Sequence, residues 1–214
     1  MESISDKRHD TLNVEKLIQY LQFSLGIILS DLNVIPFSGG QSNPTFLLQS
    51  SSSKLVLRKK PSGLLLPKAH QIEREFLIMS VLDKHNFPVP QPIHLCTDSF
   101  LLGTPFYLME YVEGEIHQSA RLESLPPSHK TAAYISQIKT LAHLHSFDWK
   151  NLNLNNFGKT EDYIKRQLSI WSKQYKTSEI NRIEEMDQLI NWLPHFIPEE
   201  LDSTIIHGDY RFGN

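Results

Sequence analysis

Ile205-Ile206-His207-Gly208-Asp209-Tyr210-Arg211-Phe212-Gly213-Asn214 are the last ten residues of the sequence. Two β-branched apolar residues run into a His-Gly-Asp turn, and an asparagine follows the aspartate with four residues between them. That spacing suits one kind of chemistry. Transfer of a phosphoryl group to a hydroxyl needs a carboxylate to take the hydroxyl's proton. It also needs a nearby oxygen donor to hold a metal ion against the nucleotide phosphates. Asp209 fits the first task and Asn214 the second. Gly-Asp is also a common turn dipeptide, so these residues alone leave a plain surface turn open. The sequence upstream has to choose between them.

Bulk composition narrows the field. The chain has 214 residues, enough for one large domain or two small lobes, and its 40% apolar and 21% charged residues are ordinary for a globular protein. A net charge of -3 gives no general attraction to nucleic acid or anionic membrane, so any anion site must be built locally. The single cysteine, Cys96, excludes an intramolecular disulfide and a cysteine metal cluster, and it reads as a small apolar filler. No apolar run approaches the ~20 residues of a membrane helix, and residues 1–10 have neither signal-peptide nor transit-peptide composition. The expectation is a soluble intracellular protein without a membrane span or a nucleic-acid partner.

Working back from the final loop, the chain has a strand-rich half and a helical half. Val14 to Leu29 shows apolar residues at helical spacing behind Asn13, a plausible N-cap. Val34 to Phe37, Thr45 to Leu48 and Lys54 to Lys60 read as three strands in meander order, the first two joined by the small-residue loop Ser38 to Asn43. A helix over Ala69 to Leu82 follows, broken by the three prolines of Asp83 to Pro92. Ile93 to Cys96 and Phe106 to Val112 supply two more strands. From Ser128 onward the pattern is helical over His129 to Ser146, Asp162 to Tyr175 and Glu179 to Trp192, with strand character returning at Thr204 to Ile206. The expected organisation is an N-terminal helical extension (1–32), a β-rich lobe (33–113) and a helical part (114–214).

Several residues in that frame carry possible chemistry. Small residues let backbone N–H groups approach an anion closely, so Gly39, Gly40, Gln41, Ser42 and Asn43 are candidates to lie over nucleotide phosphates; a plain hairpin turn is the alternative. Arg58 ends an apolar strand next to that loop, where a kinase keeps its phosphate-pairing cation; the alternative for Arg58, Lys59 and Lys60 is a solvated strand end. By alternation Leu57 and Lys59 share one face, and Val56, Arg58 and Lys60 the other. Such a cation needs an acid from the following helix, and Glu75 beside Phe76 is preferred to Glu73. The strand from Phe106 to Gly114, carrying Glu110, is where adenine would meet backbone groups in a two-lobe kinase. The ten histidines show no His-x-x-x-His pair joined to an acid, and there is no Gly-x-Ser-x-Gly elbow, so zinc chemistry and a serine hydrolase are disfavoured.

Taken in order, these pieces resemble the aminoglycoside phosphotransferase and choline kinase superfamily, a branch of the protein-kinase-like fold. The resemblance rests on Gly39 to Thr45, Val56-Leu57-Arg58, Arg74-Glu75-Phe76, Phe87-Pro88-Val89-Pro90, Phe106 to Glu110, Leu141-Ala142-His143-Leu144-His145 and His207 to Asn214. Leu57 to Pro61, Leu65 to Ile72 and Arg166 to Trp171 resemble more narrowly the kinase-like N-terminal domain of acyl-CoA dehydrogenase family members ten and eleven. The resemblance implies an α+β, protein-kinase-like two-lobe fold with a β-rich N-lobe and an incomplete α-helical C-lobe. It implies ATP and Mg²⁺ as cofactors and a small-molecule hydroxyl as acceptor, a hydroxyacyl-CoA in fatty-acid degradation among the relatives. Carried over, Asp209 is the catalytic base, with His207 and Arg211 positioning loop and substrate. Asn214 is a Mg²⁺ ligand, Arg58 stands where a lysine is usual, and Glu75 holds it.

One departure shapes the expectations. The family pattern continues past the asparagine with a strand carrying a second metal-binding aspartate, further helices and, in the longer relatives, a dehydrogenase domain. The sequence holds none of these. The expectation is therefore a truncated, weakly active or inactive product, with a non-catalytic nucleotide-binding or interaction module as the alternative. The resemblance also implies a peroxisome or mitochondrion as compartment, although no targeting segment is visible.

Overall fold

The computed structural model describes residues 12–37, 43–63, 70–117, 119–199 and 202–213. The chain divides into two compact units, one ending at Leu122 and one running from Glu123 to Phe212.

The first unit is built on five strands: β1 (Asn33–Pro36), β2 (Thr45–Gln49), β3 (Lys54–Lys59), β4 (Pro92–Cys96) and β5 (Phe106–Glu110). They form one antiparallel sheet in the order β1-β2-β3-β5-β4. The first three strands follow the expected meander, and β5 then enters between β3 and β4. Alternation along each strand sorts the side chains onto two faces. Phe46, Leu48, Leu57, Cys96, Phe106 and Leu108 join one buried cluster with Leu17 and Leu21 of α1 (Val14–Leu25). Helix α1 is thus part of this unit's core. The other face carries Val56, Arg58 and Tyr107, and α2 (Ile72–Asp83) packs beside β4 and β5.

Helix α1 begins as expected, with the Asn13 side chain accepting from the Lys16 backbone N–H at 3.0 Å. It ends earlier than its apolar spacing suggests. Gly26 adopts φ +66 and its N–H returns to the Leu21 carbonyl, so the helix stops four residues short of Leu29. The expected start of α2 at Ala69 is also displaced. His70 holds φ +58, outside the helical region, and the first helical residue is Ile72.

Lys59 departs from the reading of a solvated strand end. It is 1% exposed, on the same face as Leu57, and its Nζ donates to the Leu102 carbonyl at 3.2 Å. That carbonyl closes α3 (Ser99–Leu102), a short helix between β4 and β5. An ammonium group buried there would be costly without such an acceptor.

At the sheet's edge, the Tyr20 hydroxyl of α1 lies 2.8 Å from His94 Nε2 in β4. Burial is the main cause that pushes the Tyr20 pKa up to about 12, so the hydroxyl keeps its proton, and the His94 tautomer sets which of the two groups donates. Burial also lowers the His94 pKa. The unfolded chain therefore takes up the proton first. This contribution to stability is present above the unfolded value of about 6.5 and is lost as pH falls from there toward the folded value. Thermal midpoints followed from pH 7.5 to 5 are expected to drop less in His94→Gln, which keeps an acceptor that does not titrate. Identical slopes in both proteins would remove His94 from this role.

The second unit is helical: α4 (Pro127–His145), α5 (Tyr163–Ser178), α6 (Glu184–Trp192) and a 3₁₀ turn at Leu193–Phe196. Helix α4 starts on Pro127, where a missing N–H is harmless. Helix α6 starts later than the expected Glu179, because the backbone at Glu179 and Ile183 is extended. Neither α5 nor α6 contains a fully buried residue, and Ile170, Trp171, Leu189 and Trp192 are exposed. The expected strand at Thr204 to Ile206 does not form, because no strand pairs with it among the described residues. Among the described residues no helix is long and apolar enough to cross a membrane.

Candidate functional site

Strand register builds the candidate site of the β-rich unit. Thr45 stands opposite Arg58 across β2 and β3, and Arg58 opposite Tyr107 across β3 and β5. The three side chains therefore form one row across the sheet, and Glu75 from the first turn of α2 bonds into that row. Its Oε2 accepts from Arg58 Nε at 2.8 Å and from the Tyr107 hydroxyl at 3.1 Å. Its Oε1 accepts from Asn43 Nδ2 at 2.8 Å. Arg58 Nη1 donates to Thr45 Oγ1 at 3.1 Å, and that hydroxyl donates to the Asn43 carbonyl at 3.0 Å. The bonds close a ring through Asn43, Glu75, Arg58 and Thr45.

The electrostatics follow from partial burial. The Arg58 and Glu75 side chains are 26% and 35% exposed, so the pair is screened less than a surface pair and is held by neutral donors as well. Burial, and then the Glu75 carboxylate, pushes the Tyr107 pKa well above its ordinary range, which keeps its hydroxyl a donor. Of the five guanidinium N–H groups, two are engaged among the described residues, which leaves three for a ligand. A guanidinium fixed along one edge with donors to spare suits bidentate binding of phosphate oxygens.

The structure brings Arg58 and Glu75 together as the spacing suggests, and it places Asn43 differently. Asn43 is 2% exposed, and both ends of its amide face neighbours inside the unit, Nδ2 to Glu75 and Oδ1 to His70. Gly39, Gly40, Gln41 and Ser42 lie outside the described residues, as does Asn214. Glu110 ends β5 as an exposed residue whose carboxylate accepts from the Gln91 N–H at 3.2 Å. Thr45, His70 and Tyr107 were not singled out from the sequence. For Thr45 and Tyr107 the available signal was a polar atom between apolar neighbours; His70, followed by Gln71, carried none.

A separate set of candidate residues lies in the loop of the helical unit. Gly208 adopts φ +90, a conformation that a residue with a Cβ takes only under strain, so glycine makes the His-Gly-Asp turn possible. Arg211 Nε donates to Asp209 Oδ1 at 3.1 Å, and the Asp209 N–H points to His207 Nδ1 at 3.4 Å. The rings of His207 and Tyr210 meet edge-on at 5.5 Å, and Phe212 packs edge-on against Tyr134 of α4 at 5.1 Å. The segment leading in is pinned from the side. Trp149 Nε1 donates to the Ser203 carbonyl at 3.1 Å, Ser203 Oγ to the Thr160 carbonyl at 3.0 Å, and Thr204 Oγ1 to the His145 carbonyl at 2.7 Å. These contacts hold the approach to the loop where a strand was expected.

Known proteins match this chain closely. The family described as phosphotransferase enzyme matches residues 33–214. Mouse acyl-CoA dehydrogenase family member 10 is 45% identical over 201 residues, covering 94% of this chain and 19% of that protein. Human acyl-CoA dehydrogenase family member 11 is 44% identical over 184 residues, covering 86% of this chain and 24% of that protein. The chain thus spans about a fifth to a quarter of the length of these relatives. Among solved structures, a candidate aminoglycoside phosphotransferase of Ralstonia eutropha JMP134 superposes with a TM-score of 0.81 at 36% identity, over 95% of this chain and 60% of that one. The β-rich unit followed by a helical unit is the α+β, kinase-like architecture expected from the sequence.

Proposed function

The chain belongs to the phosphotransferase enzyme family, and from that premise we propose that it transfers a phosphoryl group from ATP to a hydroxyl of a small molecule. The observation that carries the proposal is the way Arg58 is held. Its guanidinium is fixed by Glu75 and Thr45 with three N–H groups not engaged among the described residues, which supports a role as the phosphate-pairing cation. In this reading Asp209 accepts the proton of the attacking hydroxyl, Arg211 orients the Asp209 carboxylate, and His207 braces the turn. The segment Gly39 to Ser42 covers the phosphates, and the backbone near Glu110 meets the adenine.

Magnesium is implied by the family resemblance, with Asn214 as a ligand. Such an ion is commonly held by one or two protein oxygens together with water and the nucleotide phosphates, which suits an asparagine ligand. The proton and positioning roles above do not depend on one. The acceptor we propose is a hydroxyacyl-CoA of fatty-acid degradation, on the similarity to the two acyl-CoA dehydrogenase family relatives.

Titration with ATP, followed by a transfer assay from labelled ATP to a hydroxyacyl-CoA, choline and an aminoglycoside, tests both levels. Label on the hydroxyacyl-CoA is the expected result, and label on another acceptor would replace the substrate assignment alone. A second reading, a nucleotide-binding or interaction module without catalysis, draws on the exposed apolar residues of α5 and α6. It requires ATP binding with no acceptor labelled.

A further inference from the structure

Glu75 can fix Arg58 only if its own carboxylate is fixed. A glutamate on an open helix face samples several rotamers, and aiming a cation requires that one of them dominate. Tyr107 and Arg58 both reach Oε2, and among the described residues Oε1 is held by Asn43 Nδ2 alone. The orientation of Glu75 about its last torsion therefore rests on the Asn43 amide. On its other side that amide meets His70, whose Nδ1 lies 2.9 Å from Asn43 Oδ1.

The hydrogen-bond chemistry settles the direction of this chain. An ionised carboxylate only accepts, so the amide nitrogen of Asn43 must face Glu75, and the amide oxygen must face His70. An amide oxygen also only accepts, so His70 carries a proton on Nδ1 and donates. A flipped Asn43 would put its nitrogen against His70 Nδ1 and its oxygen against the Glu75 carboxylate, two acceptors face to face. With its Nδ1 protonated, His70 adds to the preference that Glu75 already sets, because only the unflipped amide offers it an acceptor. It stands at φ +58, a backbone conformation that histidine and asparagine reach more readily than most residues, immediately before the turn into α2.

We propose that His70 is a positioning residue for nucleotide binding, acting through Asn43 to hold Glu75 in the orientation that aims Arg58. The inference rests on the phosphotransferase reading above, and goes beyond it in giving a role to a residue outside the Arg58–Glu75 pair. Losing the Nδ1 donor leaves the Asn43 amide held from the Glu75 side alone, which loosens Glu75 and lowers the fraction of molecules in which Arg58 is aimed.

The test is ATP affinity of the full chain by calorimetric titration, at a temperature where far-UV and near-UV circular dichroism report each variant as folded. His70→Ala is expected to weaken ATP binding about five- to tenfold, the net worth of a hydrogen bond. His70→Asn, which keeps a donor and tolerates the same backbone, is expected to recover most of that loss. Asn43→Asp sets a second carboxylate against Glu75 and is expected to weaken binding further than His70→Ala. On a Glu75→Gln background, His70→Ala is expected to add little, because two residues acting through one group are not additive. A purely structural His70 would give losses that add in full on that background. That result, or wild-type affinity in His70→Ala, would overturn the proposal. A parent chain that binds no ATP would overturn the nucleotide reading itself, and so separates the two failures.

Discussion

Asp209→Asn is expected to lower acceptor phosphorylation by about 10²–10⁴-fold, the usual worth of a general base, while nucleotide affinity stays within about twofold. The substitution keeps the shape of the side chain and removes its capacity to take a proton. Its effect on folding should be small. Asp209 and Arg211 are 63% and 61% exposed, and an ion pair that open to solvent contributes little to stability. The turn is held by other means: the positive φ of Gly208, the packing of Phe212 on Tyr134, and the three side-chain bonds around Ser203 and Thr204. A melting temperature close to that of the parent, combined with lost transfer and retained ATP binding, is the pattern that identifies a base. Undiminished transfer by Asp209→Asn would sink that role. Binding without transfer in both proteins would favour the non-catalytic module.

The parts of this protein that were legible in its sequence are those set by short-range pattern. Period-two alternation and turn residues locate β1, β2 and β3, and Asn13 marks the start of α1. The Arg58–Glu75 pair follows from a cation at a strand end and an acid on the next helix. What could not be read depends on register between distant segments. Tyr107 meets Arg58 only because β5 inserts beside β3, about fifty residues further along the chain. Asn43 looked like a loop donor because its neighbours are small and polar, whereas register turns it inward onto Glu75. Lys59 shows how charge misleads. Alternation alone assigns it to the face of Leu57, and the open carbonyl of Leu102 makes that burial tolerable. Ile205 and Ile206 have strand composition, but β-propensity is expressed only where a neighbouring strand offers a ladder.

Glu75→Ala is the substitution expected to damage the β-rich unit's site most, destabilising the protein by about 1–3 kcal/mol and weakening ATP binding more than His70→Ala does. The reason is the number of groups that converge on one carboxylate. Arg58, Asn43 and Tyr107 all donate to it, and none of the three is fully exposed. Truncation leaves a half-buried guanidinium without its counter-charge and a buried amide and phenol without their acceptor. Tyr107 suffers particularly, since its hydroxyl sits where burial keeps it protonated and in need of a partner. Glu75→Gln separates charge from shape. It retains one acceptor oxygen, but it places an amide nitrogen against either Arg58 or Asn43, both donors. A neutral side chain that merely filled the space would leave stability unchanged in Glu75→Gln. The ring of donors predicts instead that Glu75→Gln loses nearly as much ATP affinity as Glu75→Ala while losing less stability. Denaturant unfolding and ATP titration on the same two variants check this. A Glu75→Gln protein that binds ATP like the parent would mean that the carboxylate's charge does not aim Arg58.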